Sequence, residues 1–128
     1  MKKLTESETI VMQCIWKGQK DVTIAQIMQW AREDHGKDWK QQTVSTHLSH
    51  LAAKGYVDFY TGGRVSYYRP LVDVEDYKRD RNGNFLNAWY GGSISNMVEK
   101  LNADGMLEKA EVTKLRNILS GKSKTADQ

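Results

Sequence analysis

The sequence has little of what several protein classes require. Its 128 residues include one cysteine, Cys14, which excludes an intramolecular disulfide framework and favours a reducing compartment. It contains no apolar run near the roughly 20 residues of a membrane span. The opening letters MKKLTESE turn polar at once, without the apolar core of a signal peptide. These absences predict a cytoplasmic protein that does not insert into a membrane.

Composition and charge describe a folded chain with one basic region. The chain is 39% hydrophobic and 27% charged, and its length suits one domain or a small domain with an appendage. The net charge of +3 is confined to residues 40–72, where the basic side chains face only Asp58. Those basic side chains are Lys40, Lys54, Arg64 and Arg69. Positive charge gathered in one short region favours nucleic-acid binding.

A helix predicted within residues 41–57 has two contrasting faces. Its apolar stripe follows the i, i+4, i+7 spacing of a buried face and contains Val44, Leu48, Leu51 and Ala52. The other side carries neutral hydrogen-bonding groups: Gln42, Thr43, Ser45, Thr46, Ser49 and His50. Such groups suit close approach to base edges in a DNA major groove, although a weakly solvated surface has the same composition. Gly55 supplies the left-handed stop expected after a helix.

Two shorter helices precede this one. Residues 6–17 have helical apolar spacing and end at Gly18, a natural terminator, and Cys14 is interpreted as a core residue rather than a nucleophile. Thr23 and Gln26 have the spacing of a capping box at the start of a second helix. Asp38 is placed to cap the third. Three short helices with a tight connection before the third predict a helix-turn-helix core.

After Gly55 the pattern changes from helix to strand. VDFY and VSYYR are rich in β-branched and aromatic residues, and TGGR between them is a hairpin loop signal. Three helices followed by a hairpin predict a winged helix. Arg64 then lies at the tip of the wing, where it can reach a DNA phosphate or a minor groove. The alternative is that Arg64 is only a solvated loop residue.

The C-terminal part is predicted to form helices over about 73–90, 93–101 and 108–119, followed by a disordered tail at 121–128. Their apolar residues would form an exposed patch on a monomer, which favours a two-fold dimer interface. The predicted interface residues are Phe85, Leu86, Trp89, Tyr90, Met97, Val98, Leu101, Leu115, Ile118 and Leu119. The alternative is that these helices fold back onto the winged helix. The predicted organisation is a DNA-binding domain at 1–72 and a helical dimerisation region at 73–120.

Several segments together resemble the penicillinase-repressor family of winged-helix regulators, the BlaI/MecI type. The first helix has its Glu-x3-Met-x3-Trp spacing at Glu8, Met12 and Trp16. The pattern W-x3-T-V-x-T-x-L-x-x-L-x-x-K-G runs from residue 39 to 55, and G-R followed by Y-x-P occurs in the hairpin. FLNAWYGGSISNMV and LRNIL resemble C-terminal segments of the family. The resemblance covers about residues 4–119.

The resemblance implies a cytoplasmic, dimeric repressor that occupies an operator palindrome and controls genes such as those for β-lactam resistance. It implies that Thr43 and Thr46 meet the DNA. It also implies release by a membrane sensor-protease, which cleaves a bond that is typically Asn-Phe; the aligned pair here is Asn96-Met97. A copper-responsive branch has paired cysteines near its C-terminus, which this chain lacks.

Parts of the sequence are also compatible with two other functions. His47 and His50 lie three apart and could suggest a metal or catalytic site, but no acidic residue or cysteine is placed to complete one, so we expect no enzyme activity, metal or cofactor. A winged helix can also bind a protein, but the small polar face and the local positive charge favour duplex DNA. The predicted DNA contacts are Lys40, Gln41, Gln42, Thr43, Ser45, Thr46, Ser49, His50, Lys54 and Arg64.

Overall fold

The computed structural model describes residues 1–121 as six helices and one two-stranded antiparallel sheet. The fold class is mainly helical, a winged helix-turn-helix followed by further helices, as the sequence predicts. The elements in order are α1 (Glu6–Lys17), α2 (Ile24–His35), α3 (Gln41–Ala53), β1 (Val57–Gly62), β2 (Val65–Pro70), α4 (Val74–Tyr90), α5 (Ile94–Ala103) and α6 (Lys109–Leu119). Two compact units divide the chain, Met1–Asp80 and Arg81 onward. Within the described residues, no helix is long and apolar enough to cross a bilayer.

Local signals explain where most helices begin. Thr23 and Gln26 form the predicted capping box at the start of α2. Asp73 accepts hydrogen bonds from two backbone amides of the first turn of α4, and Ser93 caps α5. The prediction that Asp38 caps α3 is wrong: Lys40 occupies the cap position, and Asp38 lies 3.6 Å from Arg32 Nε. Asp38 is two residues too early, because a cap side chain must stand directly before the helix to reach its free amides.

The core of the first unit is built from the apolar stripes of the first three helices. Val44, Leu48 and Leu51 of α3 are fully or almost fully buried, as their spacing predicts. They lie in one cluster with Val11 and Ile15 of α1. The buried stripe of α3 therefore fixes which side of the helix faces solvent, and Gly55 ends it with a positive φ of 83°.

The hairpin is joined to this core by a third extended segment. β1 and β2 pair in register from Val57 with Pro70 to Gly62 with Val65, leaving Gly63 and Arg64 as a two-residue loop. Gly63 has a φ of 70° and Arg64 a negative φ, the pattern of a hairpin turn with glycine first. Val22 pairs with Tyr68 through two backbone hydrogen bonds of 2.7 and 2.9 Å. The wing is therefore bonded to Val22, in the segment just before the cap of α2.

The first turns of α4 belong to the first unit. The indole of Trp16 donates a hydrogen bond of 2.9 Å to the Val72 carbonyl, and its ring lies 5.2 Å from that of Tyr77. Tyr77 also packs edge-on against Tyr56. The predicted domain boundary at 72/73 and the contact division at 80/81 thus differ by two turns of helix.

The second unit consists of the rest of α4 together with α5 and α6. No described residue of these three helices is fully buried in the single chain. Two glycines with positive φ, Gly91 and Gly92, separate α4 from α5 as their sequence predicts. Of the tail predicted at 121–128, Gly121 forms a turn, and 122–128 lie outside the described residues.

Candidate nucleic-acid interface

The solvent-facing side of α3 carries the polar residues that the sequence singles out. Gln41, Gln42, Thr46, Ser49 and His50 are exposed. Thr43 and Ser45 are partly buried and flank that face. Because Val44, Leu48 and Leu51 anchor the opposite side, the exposed groups are presented on a helix that cannot rotate without exposing its apolar stripe. A helix of this kind fits the width of a DNA major groove.

The hydroxyl of Thr46 is partly committed within the helix. It donates a hydrogen bond of 3.0 Å to the Gln42 carbonyl one turn earlier. In this rotamer it presents oxygen lone pairs and a methyl group rather than a free proton. Those groups can accept from the amino group of cytosine or adenine, or contact the methyl of thymine.

A cleft of about 450 Å³ brings the wing tip next to the starts of two helices. Arg64, Val65 and Ser66 line one side, and Gln41 of α3 lines another. The remaining wall comes from the first residues of α2, including its cap Thr23. The structure thus joins Arg64 and Gln41, which are 23 positions apart in the sequence, at one surface. The N-terminus of α2 adds the positive end of a helix dipole to it.

Lys54 occupies a different environment from the other basic residues. Its ammonium group donates to Glu8 Oε1 at 2.6 Å and to the Lys3 carbonyl at 2.9 Å. Burial alone would raise the pKa of Glu8, but hydrogen bonds from Lys54 and the Thr5 amide hold that pKa below its usual 4.5. His50 Nδ1 lies 3.7 Å from the second carboxylate oxygen. Lys54 therefore faces the protein, and its predicted role at the DNA stays a prediction.

Of the other three basic side chains in residues 40–72, one is paired within residues 1–121 and two are not. Arg69 pairs with Asp58 at 3.0 Å across the two strands, and this contact lowers the pKa of Asp58 and raises that of Arg69. Among the described residues, Lys40 and Arg64 form no ion pair. Of the four cations that make residues 40–72 basic, these two remain free to meet an external anion.

The two histidines of α3 have separate surroundings. The ring of His47 lies 5.1 Å from that of Trp39, and burial lowers the pKa of His47. His50 faces Glu8. Within residues 1–121, no group of three or more His, Cys, Asp and Glu is placed to hold a metal ion. Cys14 is buried in the core of the first unit, and burial raises its pKa to about 11.

Comparison with known proteins identifies the family of this chain. The model of the penicillinase repressor family matches residues 4–121. This chain belongs to the penicillinase repressor family. The penicillinase repressor of Bacillus licheniformis is 31% identical over 117 residues, 91% of this chain and 89% of that protein. The methicillin resistance regulatory protein MecI of Staphylococcus aureus (strain N315) is 29% identical over 120 residues, 94% of this chain and 95% of that one.

A solved structure is also similar to part of the chain. The solution structure of the DNA-binding domain of the repressor BlaI is 30% identical and covers 60% of this chain and 94% of that one, with a TM-score of 0.49. Membership in the penicillinase repressor family makes the protein a DNA-binding repressor and not an enzyme. The family resemblance noted in the sequence is thereby confirmed.

In this member of the penicillinase repressor family, the predicted dimer residues lie on exposed or half-buried positions of α4, α5 and α6. Phe85, Trp89, Ile118 and Leu119 are exposed. Leu86, Tyr90, Met97, Val98, Leu101 and Leu115 are partly buried. Ile94 and Met106, each 63% exposed, are two further exposed apolar residues of this unit that the predicted interface does not include. Met106 lies between α5 and α6, where helical periodicity gives no signal.

The Asn96–Met97 bond, at the position where the family resemblance implies cleavage, lies in the first turn of α5. The Asn96 amide donates to Ser93 Oγ at 3.1 Å, and the Met97 amide donates to the Ser93 carbonyl at 3.3 Å. Asn96 is exposed and Met97 is partly buried. Both residues of the bond are therefore in helical conformation, and both of their amides are bonded to Ser93.

Proposed function

We propose that the protein binds a palindromic operator as a homodimer in the cytoplasm and represses transcription of β-lactam resistance genes. The relatives described above are named a penicillinase repressor and a methicillin resistance regulatory protein, which supports this choice of target genes. A homodimer supplies two copies of α3, and two-fold symmetry in the protein requires two-fold symmetry in the site.

The observation that carries the DNA-binding role is the surface formed by α3 and the wing tip. The exposed neutral face of α3 continues into the cleft that contains both Gln41 and Arg64. Neutral groups that donate and accept hydrogen bonds distinguish base pairs, whereas a guanidinium at the edge neutralises phosphate without reading sequence. On this surface, α3 is therefore suited to recognise the base sequence, and Arg64 is suited to bind the DNA backbone.

The test is to select duplexes from a random library with the purified protein, and then to compare a selected with a random duplex over a salt series. Gln42→Ala and Thr46→Ala should weaken binding mainly to the selected duplex, by about 1–3 kcal/mol for each base pair that is read through a bidentate contact. Arg64→Ala should weaken both and reduce the salt slope by about one for each bound protomer. Gln13→Ala, on the exposed side of α1, is the matched control.

Two outcomes would reject the proposal. If affinity does not change with salt, counterion release is absent and the surface does not meet DNA backbone. If all three variants weaken the selected and random duplexes equally, the assignment of specificity to α3 is wrong. If neither outcome is found, genome-wide footprinting with the same protein would name the regulated genes directly.

The same proposal assigns a separate function to each of two regions of the chain. Residues 1–72 bind DNA, and residues 73–120 join two protomers through the exposed apolar side chains of α4, α5 and α6. An apolar surface of this extent on a single chain is typical of an interaction site. Covering it with a second copy would remove several large side chains from water at once, among them Trp89 and Leu119.

Relief of repression by a sensor protease forms the last part of the proposal. A protease needs an extended substrate, so cleavage at Asn96–Met97 requires the first turn of α5 to unwind, which is a local opening rather than global unfolding. Mass spectrometry of the protein recovered from cells exposed to a β-lactam would test it. A fragment ending at Asn96 is expected, and an intact chain in derepressed cells would exclude this route.

A further inference from the structure

Glu8 is the one charged side chain among residues 1–121 that is buried, with 3% of its surface exposed. It lies in the first turn of α1, next to the last turn of α3. A buried carboxylate is costly unless its charge is compensated and its oxygens accept hydrogen bonds. Here Lys54 compensates the charge, and Oε1 accepts two hydrogen bonds, from Lys54 and from the Thr5 amide.

Three separate segments meet at this carboxylate. The Thr5 amide donates to Glu8 Oε1 at 3.0 Å, which closes the capping box of α1. Lys54, the residue directly after α3, donates to the same oxygen and to the carbonyl of Lys3. The Tyr56 hydroxyl donates to the carbonyl of Lys2. The end of α3 is therefore bound to the start of α1 and to the N-terminal arm.

The second oxygen of Glu8 faces the exposed side of α3. His50 Nδ1 lies 3.7 Å from it, and the imidazole is 60% exposed. His50 is one of the residues expected at the DNA. The carboxylate thus lies next to His50 in the last turn of α3 and is bonded to Lys54 directly after it, which holds the end of the helix against α1.

We propose that Glu8 and Lys54 are a positioning pair for DNA recognition, and that Lys54 acts through Glu8 rather than by contacting phosphate. This inference rests on the proposed function. Two of the three N–H groups of the Lys54 ammonium are already bonded to Glu8 and to the Lys3 carbonyl. Leaving Glu8 to reach a phosphate would strand a buried charge, which costs more than an exposed ion pair returns. The lysine is also only 26% exposed, so little of it is available to the DNA.

Salt dependence separates positioning from phosphate contact. A basic side chain that contacts a DNA phosphate releases counterions from the DNA. Removing that side chain therefore reduces the slope of log affinity against log salt concentration by about one for each protomer. A positioning residue moves the affinity without changing that slope. The slope is also insensitive to the fraction of correctly folded protein, because that fraction shifts every point equally.

The experiment uses the full chain, a duplex selected from a random library by the wild-type protein, and a random duplex. We expect Lys54→Met to weaken binding to the selected duplex at least 10-fold, to lower the ratio of selected to random affinity, and to leave the salt slope as in the wild type. Glu8→Gln keeps an acceptor for the Thr5 amide while removing the charge. The double variant Glu8→Gln/Lys54→Met should therefore recover at least 10-fold of the affinity lost in Lys54→Met.

The phosphate-contact alternative predicts the opposite pattern. Both Lys54→Met and the double variant would bind weakly, and both would lose about one unit of slope for each protomer, as Arg64→Ala is expected to do. That result would overturn the positioning pair while leaving the repressor function intact. A wild-type protein without salt-dependent binding would instead refute the repressor function. If Lys54→Met does not fold, the slope and affinity of the double variant decide between the two roles.

Discussion

Trp89 provides the most direct test of the proposed dimer, because the residue is 73% exposed in the single chain. A tryptophan buries up to roughly 250 Å², so a partner that covered Trp89 completely would remove about 180 Å² from water. At about 25 cal/mol per Å², this contributes about 4–5 kcal/mol, and two-fold symmetry brings the limit to about 9 kcal/mol for the dimer. The measured effect will be smaller, since association also orders side chains.

Truncation of an interface tryptophan typically costs about 2 kcal/mol or more, and a two-fold dimer contains it twice. We therefore expect Trp89→Ala to raise the dimer dissociation constant about 1,000-fold, at 1.4 kcal/mol for each tenfold change. Trp89→Asp should abolish the dimer, because it would place two unpaired charges in the interface. Sedimentation equilibrium over a concentration series measures both variants against the wild type.

The matched control is Leu71→Asp, which replaces another exposed apolar residue, 57% exposed, in the first unit. It should leave the dissociation constant unchanged. The reasoning is refuted if Trp89→Asp sediments with the mass of the wild-type dimer. A wild-type protein that stays monomeric at every concentration would reject the dimer itself.

Three further predictions concern stability and reactivity. A Cβ on Gly18 would lie 2.3 Å from Val22 Cγ1, so Gly18→Ala should lower the free energy of unfolding by about 1–3 kcal/mol in urea titrations. Gly83 lies in open space within α4, so Gly83→Ala should raise the free energy of unfolding by about 0.5–1 kcal/mol. Equal effects of the two substitutions would contradict the packing at Gly18. Burial raises the pKa of Cys14 from 9.0 to about 11. At pH 8 the thiol of the native protein should therefore react with a disulfide reagent about 100-fold more slowly than the thiol of the unfolded chain. Equally fast labelling of the native protein would show that Cys14 is accessible. The pKa of Glu8 is lowered in the folded state, so its ionised form contributes stability above about pH 4.5 that is lost as the pH falls further. The stability difference between wild type and Glu8→Gln should therefore shrink from pH 7 to pH 3.5, and a constant difference would refute the pairing.

The predictable parts of this fold are those encoded over a few residues. The buried stripe of Val44, Leu48 and Leu51 follows from helical periodicity alone. Gly63 and Arg64 form the hairpin loop because glycine supplies the positive φ that a two-residue loop needs at its first position. Each of these signals is complete within one element, so a single sequence contains all the information required.

The parts that sequence reasoning missed depend on partners far along the chain. Gly18 is required by the approach of Val22, not by a positive φ, since its φ is −70°. Val22 pairs with Tyr68 on the second strand, 46 positions away. In the sequence, Lys54 has no visible partner beside α3. Its partner in the fold, Glu8, lies 46 positions earlier in the chain. The Thr5-x-x-Glu8 capping box was a readable signal for the local part of that arrangement, but periodicity does not show which cation a carboxylate will meet.

Pairing of cations inside the protein also limits how strongly the proposed interface can depend on salt. With Lys54 held by Glu8 and Arg69 held by Asp58, the basic region of residues 40–72 retains Lys40 and Arg64 for phosphate, or about four contacts in a dimer. At about 0.9 for each neutralised phosphate, the expected salt slope is about −4. A much steeper slope would mean that cations outside residues 40–72 meet the backbone, or that Lys54 leaves Glu8. At a slope near −4, nonspecific attraction is modest, so discrimination by the neutral face of α3 must supply much of the preference for the operator.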